Sequence, residues 1–331
     1  MTLHRRRFLH LAAGAAAVPA LSRQAGAQAA YPNRPVTLIV PFPPGAATDV
    51  GARVVGDHMS RTLGQQFVIQ NISGAGGTVG STRAMRADPD GYTIIMGQMG
   101  THAASVSLYP NLPYKPAEDF EAIGMVSAFP LLIAARKDFP ANNLKEFIAY
   151  LKANDSKINQ GHAGVGSIFF TTCLLLNSIL GTKPTMVPFA GGAPAMNALV
   201  GGQVDFMCAD ILTGAPQLAD GKIKIYALAA PKRNANLPNV PTTTEAGLPE
   251  YVVAGWNGLF APKGTPKPII DQLAAALDKA LDDEATRNRL ITLGCDIPDK
   301  PQRGPAQLLA LVKSEIARWS PIIKAAGVTM N

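Results

Sequence analysis

Short apolar runs bounded by glycine or proline alternate along the chain with longer segments whose apolar residues recur at helical spacing. The runs predict strands at 36–40, 67–70, 92–96, 131–135, 186–189, 204–207, 223–229 and 252–260. The periodic segments predict helices at 48–63, 78–87, 143–154, 167–180, 194–201, 266–281 and 305–325. This order predicts an α/β protein with largely parallel sheets. The last two helices follow one another with no clear strand between them, so they are expected to clasp a domain already formed.

In open α/β sheets, ligands bind where strand ends lead into helix N-termini. Four such joints here are rich in small residues: Pro41-Phe42-Pro43-Pro44-Gly45-Ala46-Ala47-Thr48-Asp49, Ser73-Gly74-Ala75-Gly76-Gly77-Thr78, His162-Ala163-Gly164-Val165-Gly166-Ser167 and Pro188-Phe189-Ala190-Gly191-Gly192-Ala193. Small residues expose backbone N–H groups, and each helix start carries roughly half a positive charge. Several such ends facing one cleft would bind a carboxylate without Arg or Lys. Any one loop also reads as an ordinary turn, and Thr78 and Ser167 also read as N-caps.

Composition narrows the class. Of 331 residues, 47% are hydrophobic and 16% charged, the reverse of a disordered chain, and the length suits two domains. No run reaches the roughly 18 uninterrupted apolar residues of a membrane helix. Residues 1–29 read as an export signal of the twin-arginine type. Arg5-Arg6-Arg7-Phe8-Leu9 precedes an Ala-rich apolar run broken by Pro19, and Ala27-Gln28-Ala29 fits an A-x-A cleavage site, with Ala25-Gly26-Ala27 as competitor. A periplasmic protein cleaved near Ala29 follows. Losing Arg5, Arg6, Arg7 and Arg23 lowers the basic count from 30 to 26 against 23 acidic residues, so the net charge falls from +7 to +3. With no basic cluster interleaved with aromatics, nucleic acid is not an expected partner.

Enzyme and metal signatures are missing from the sequence. His58, His102 and His162 have no second His or Cys at metal-ligand spacing, and Gly164-Val165-Gly166-Ser167-Ile168 is out of register with G-x-S-x-G. Neither a catalytic group, a metal nor a cofactor is expected. Asp205 and Asp210, near the end of a strand, read as loop-capping or ligand-orienting groups. Cys173 and Cys208 lie in apolar segments and read as small buried hydrophobes, although one bridge among the three cysteines stays open.

Ordered motifs along the mature chain carry a resemblance. They are Tyr31-Pro32-Asn33-Arg34-Pro35, then Pro41-Phe42 through Gly45 to Asp49, Gly74-Ala75-Gly76-Gly77, Asp90-Gly91-Tyr92-Thr93, Val187-Pro188-Phe189-Ala190-Gly191 and Gly202-Gln203-Val204-Asp205. Residues 238–247, with Pro241-Thr242 and Glu245, and 256–266, from Trp256 to Pro266, complete the series. In this series the chain resembles the substrate-binding proteins of tripartite tricarboxylate transporters, the Bug receptor family, over residues 31–327. The resemblance implies a two-lobe periplasmic-binding-protein fold, type II-like, with a ligand cleft between lobes: lobe I from 30–128 plus 254–331, lobe II from 129–253. It implies a monomeric receptor that captures a small organic carboxylate and delivers it to membrane permease subunits.

The expected ligand shell is Phe42, Ala46, Ala47, Thr48, Asp49, Gly76, Gly77 and Thr78 from the first lobe. The second lobe would supply Gly166, Ser167, Phe170, Phe189, Ala190, Gly191 and Asp205. Asp49, when ionised, is expected to cap loop amides or order a water rather than touch an anion. The chain departs from the family pattern at Ala46, where a second glycine is usual, at Ser167-Ile168-Phe169-Phe170, where a His is common, and at Phe189, where Tyr is common. If these phenylalanines face the cleft, an aromatic or extended dicarboxylate fits better than citrate; if they face the core, that preference lapses. A receptor feeding a sensory system, and an exported hydrolase with Ser167 paired to His102 or His162, are the rival readings. A transcription regulator's ligand-sensing half would need a DNA-binding helix pair in place of the export signal.

Overall fold

The computed structural model describes residues 31–329; the export segment 1–29 and its expected junction lie outside them. From Arg34 onward the first part of the chain runs β1 (Val36–Val40), α1 (Ala47–Leu63), β2 (Phe67–Asn71), α2 (Thr78–Met85), β3 (Thr93–Gln98) and α3 (Ser105–Leu108). A long strand, β4 (Phe120–Arg136), follows. Next come α4 (Leu144–Asn154), β5 (Asn159–His162), α5 (Ile168–Leu180), β6 (Thr185–Pro188), α6 (Gly192–Val200), β7 (Phe206–Asp210), α7 (Ile211–Ala219) and β8 (Ile223–Leu228). The chain closes with β9 (Ala254–Pro262), α8 (Lys267–Asp282), α9 (Glu284–Thr292) and α10 (Pro305–Ala325).

The strands are ordered β2-β1-β3-β9-β4-β7-β5-β6, with β8 also on β4. The expectation of largely parallel sheets needs correction. The parallel pairs are β1 with β2 and β3, and β5 with β6 and β7. Every antiparallel pair involves β4 or β9. A helical crossover returns the chain in the same direction and so makes parallel neighbours. No such crossover sets the direction of β4 or β9. β4 serves both halves of the sheet: residues 120–130 pair with β9, and 131–136 pair with β7 and β8.

Most helices begin and end where local chemistry directs. Asn143, Ser167, Asp210 and Asp283 each accept a backbone N–H as N-caps, and Gly64 closes α1 in the left-handed conformation. Strand β5 reads Asn-Gln-Gly-His and has no apolar signal. It forms because β6 and β7 flank it and Asn177 Nδ2 donates to the buried Gln160 Oε1 at 2.6 Å. The first part of β4 was hidden by Gly124, Ser127 and Pro130. Proline is tolerated where the ladder needs no N–H. α7 was hidden by Gly214 and Pro216.

Buried apolar side chains form one core cluster continuous through both halves. Nearly all of α5 is buried, and Cys173 on it is joined by a disulfide to Cys208 of β7; Cys295 is buried and free. α8 packs on α1 and β4. α10 packs on β4 and the helical turn at 100–104, and its Trp319 Nε1 donates to Glu315 at 3.0 Å.

Candidate functional site

A cleft of about 490 Å³ opens where the loops after β1, β2, β5 and β6 converge on the ends of β3 and β7 and the middle of β4. Each loop is held by its own chemistry. After β1, Gly45 turns the chain with φ +81°, and its amide donates to Asp49 Oδ2 at 2.9 Å. Asn71, at the end of β2, donates to both Asp49 Oδ1 and Phe42 O, and Arg53 Nε donates to Asp49 Oδ2. Burial opposes the charged form of Asp49, but hydrogen bonds from Arg53, Gly45 and Asn71 outweigh it and hold its carboxyl below the ordinary value. The Asp49 carboxylate therefore orders the loop.

Across the cleft, Ser167 caps α5. Its Oγ donates to Gly164 O at 2.6 Å and accepts from Phe170 N. The two walls meet at one edge. Gly76, at φ +63°, approaches Val165 and Gly166 so closely that a Cβ there would lie deep inside contact distance of Val165 O. Tyr109 Oη lies 2.9 Å from Ala75 O and 3.2 Å from Val165 O, spanning the same seam.

Helix starts leave N–H groups that the helix itself cannot satisfy. Among the described residues, the amides of Ala47 and Thr48 at α1, Ile168 and Phe169 at α5, and Gly192 and Ala193 at α6 have no acceptor, and all six residues line the cleft. Among the described residues, no Lys or Arg lines it. Apolar surface comes from Phe42, Phe129, Phe169 and Phe189. The arrangement is one that attracts an anion through amides and helix dipoles beside apolar walls.

The expected residues divide. Phe42, Ala46, Ala47, Thr48, Gly76, Gly77, Ser167, Phe189, Ala190 and Gly191 line the cleft. Asp49, Thr78, Gly166 and Phe170 stand behind it: Thr78 Oγ1 donates to Ala75 O, and Phe170 is buried against His162 with ring centroids 5.0 Å apart. Asp205 is elsewhere. It immediately precedes β7, at the end away from the cleft, where it accepts from Arg136 Nε at 2.9 Å and from Asn159 N at 2.8 Å. Its assignment to the ligand shell is corrected by strand direction, since only the carboxyl end of β7, Asp210, reaches the cleft.

Sequence reasoning missed Gln98, Phe129 and Thr213, and read Asp210 without placing it in the shell. Gln98 and Asp210 share a signal: each is a polar residue closing an apolar strand. Gln98 Oε1 accepts from Gly100 N at 3.0 Å, and its NH2 group has no acceptor among the described residues. His102 is buried against Phe260 and Phe120, with Nδ1 2.9 Å from Thr101 Oγ1, and burial pushes its pKa down to about 3. Among the described residues neither His102 nor His162 pairs with Ser167, and no group of side chains could hold a metal.

Two α/β lobes sharing long strands around an amide-lined cleft define the solute-binding class of periplasmic-binding-protein fold. The chain belongs to the tripartite tricarboxylate transporter receptor family, whose pattern matches residues 51–328. It is 39% identical over 303 residues to a protein of the TAR-I ttuE-ttuC' intergenic region of Agrobacterium vitis, covering 92% of this chain and 87% of that one. Its fold is similar to MatC from Rhodopseudomonas palustris with bound malate, with TM-score 0.84, 47% identity, and 88% of this chain and 100% of that chain covered. It is also similar to R. palustris Rpa4515 with adipate, with TM-score 0.85, 32% identity, and 91% and 100% covered. Among the described residues, no helix is long and apolar enough to cross a membrane.

Proposed function

We propose that this chain is an exported, monomeric, non-catalytic receptor that captures a small organic carboxylate and hands it to the permease subunits of a tripartite transporter. The observation that carries the reading is the convergence of unpartnered amides at Ala47, Thr48, Ile168, Phe169, Gly192 and Ala193 on a cleft without Lys or Arg. Such donors satisfy carboxylate oxygens without the desolvation cost of a buried cation. Lobe I comprises 30–128 plus 254–331 and lobe II 129–253. The switch of β4 from β9 to β7 and β8 at residues 130–131 supports that division. Ligand entry closes the lobes about these strands.

The ligand is an aromatic or extended dicarboxylate rather than citrate. Phe42, Phe129, Phe169 and Phe189 suit a ring or methylene chain, whereas a third carboxylate against phenyl faces would lose its water without a partner. The malate and adipate bound by the two R. palustris relatives are dicarboxylates, which supports two carboxylates rather than three, and adipate is an extended one. Calorimetric titration with adipate, phthalate, benzoate, malate and citrate tests this. Micromolar binding of citrate alone rejects the ligand preference, and silence to every acid rejects the carboxylate reading. Export by the twin-arginine route predicts that Arg5→Lys with Arg6→Lys blocks delivery to the periplasm; unchanged delivery points to the general secretory route.

A further inference from the structure

Among the residues lining the cleft, only Asp210 is titratable, and no basic side chain stands there to neutralise it. It closes β7, in register with Leu131 of β4, and is 5% exposed. Its Oδ1 accepts from the Thr213 amide at 2.8 Å as the N-cap of α7. The Thr213 side chain also favours the charged carboxyl, and no residue other than Thr213 hydrogen-bonds it among the described residues. A cap requires one oxygen and no charge: Asn143 and Ser167 cap α4 and α5 in this same chain. The second oxygen and the charge are therefore surplus to capping, and a buried carboxylate whose hydrogen bonds come from Thr213 alone is costly.

We infer that Asp210 reads a hydrogen-bond donor on the ligand, a hydroxyl or ammonium substituent on the carbon chain of the bound acid. This deepens the carboxylate reading and rests on it. The amides at the helix starts hold ligand carboxylates, and Asp210 selects among acids that all satisfy those amides. A ligand carboxylate cannot occupy the place beside Asp210, because two like charges would share a desolvated wall. An unsubstituted diacid leaves the carboxylate with Thr213 alone, whereas a hydroxyl or ammonium donates to it. Burial also pushes the Asp210 carboxyl upward from its ordinary value, against the opposing hydrogen bonds from Thr213, so an added donor has the most to restore.

Titration calorimetry at pH 7.5 tests this with acids that differ only in the donor. Succinate, L-malate and L-aspartate share four carbons; adipate and 3-hydroxyadipate share six. The wild-type protein should bind a donor-bearing member more tightly than its unsubstituted partner by on the order of tenfold or more. Malate against aspartate tells hydroxyl from ammonium. Asp210→Asn keeps the cap and removes the charge; it should abolish the preference while retaining or improving the unsubstituted acid. Asp210→Ser, also a competent cap, serves if the Asn variant melts early, and the wild-type ratio decides if both do. Equal wild-type affinities within each set, or a preference unchanged in the variants, overturns the inference while leaving the carboxylate reading intact. Binding of phthalate or benzoate with silence to all five acids overturns the inference alone; silence to phthalate and benzoate as well rejects the carboxylate reading, and the inference falls with it.

Discussion

Placing a side chain at Gly76 separates the cost of backbone strain from the cost of lobe contact. An L-residue at φ +63° loses about 1–2 kcal/mol of fold stability, whether or not ligand is bound. The added Cβ also meets Val165 O, Tyr109 Oη at 2.8 Å and Gly166 Cα at 3.0 Å. The contacts with Val165 and Gly166 exist only when the walls touch, so this part falls on the closed form. Overpacking of this kind costs about 1–3 kcal/mol, which lowers apparent affinity roughly 5- to 150-fold. Gly64→Ala is the control: its φ is +71° and its Cβ meets nothing within 4 Å, so it should lose stability but no affinity. Calorimetry and denaturant melts on wild type, Gly76→Ala, Gly76→Val and Gly64→Ala give both quantities. Wild-type affinity in Gly76→Ala, or an equal loss in Gly64→Ala, would refute the argument.

Other outcomes follow from the same structure. Asp49→Ala strands the Gly45 amide and the Asn71 and Arg53 donors, so it should cost about 1–3 kcal/mol of stability and weaken ligand binding; melts and titrations check both, and unchanged affinity would separate the loop from the site. His102 is held neutral, with its pKa depressed to about 3, so its contribution is complete above its ordinary value near 6.5. Below that pH the unfolded chain takes up a proton that the folded chain refuses, and stability should fall by about 1.4 kcal/mol per pH unit from this group. Urea melts from pH 7 to 4.5 should show a shallower fall in His102→Phe than in wild type. The Cys173–Cys208 bridge spans a sequence separation of 35. By loop-closure entropy its removal should cost about 3–4 kcal/mol, read as the difference between melts with and without reductant.

The sequence alone carried the α/β class, the lengths of α1 and α10, and the four small-residue joints, because each rests on local periodicity, caps and glycines. It also carried the ordered motifs that mark the family. It could not carry β5 or the first part of β4, whose polar and proline-containing residues become strands only when neighbours complete the ladder and Asn177 satisfies Gln160. Nor could it decide the bridge between Cys173 and Cys208, which needs α5 laid on β7. The clearest case is the pair Asp205 and Asp210. Both flank one apolar run, and nothing local separates an acid that pairs with Arg136 from one that lines the cleft. Strand direction separates them, and that direction is set by the helical crossovers that align β5, β6 and β7, a property of the whole sheet.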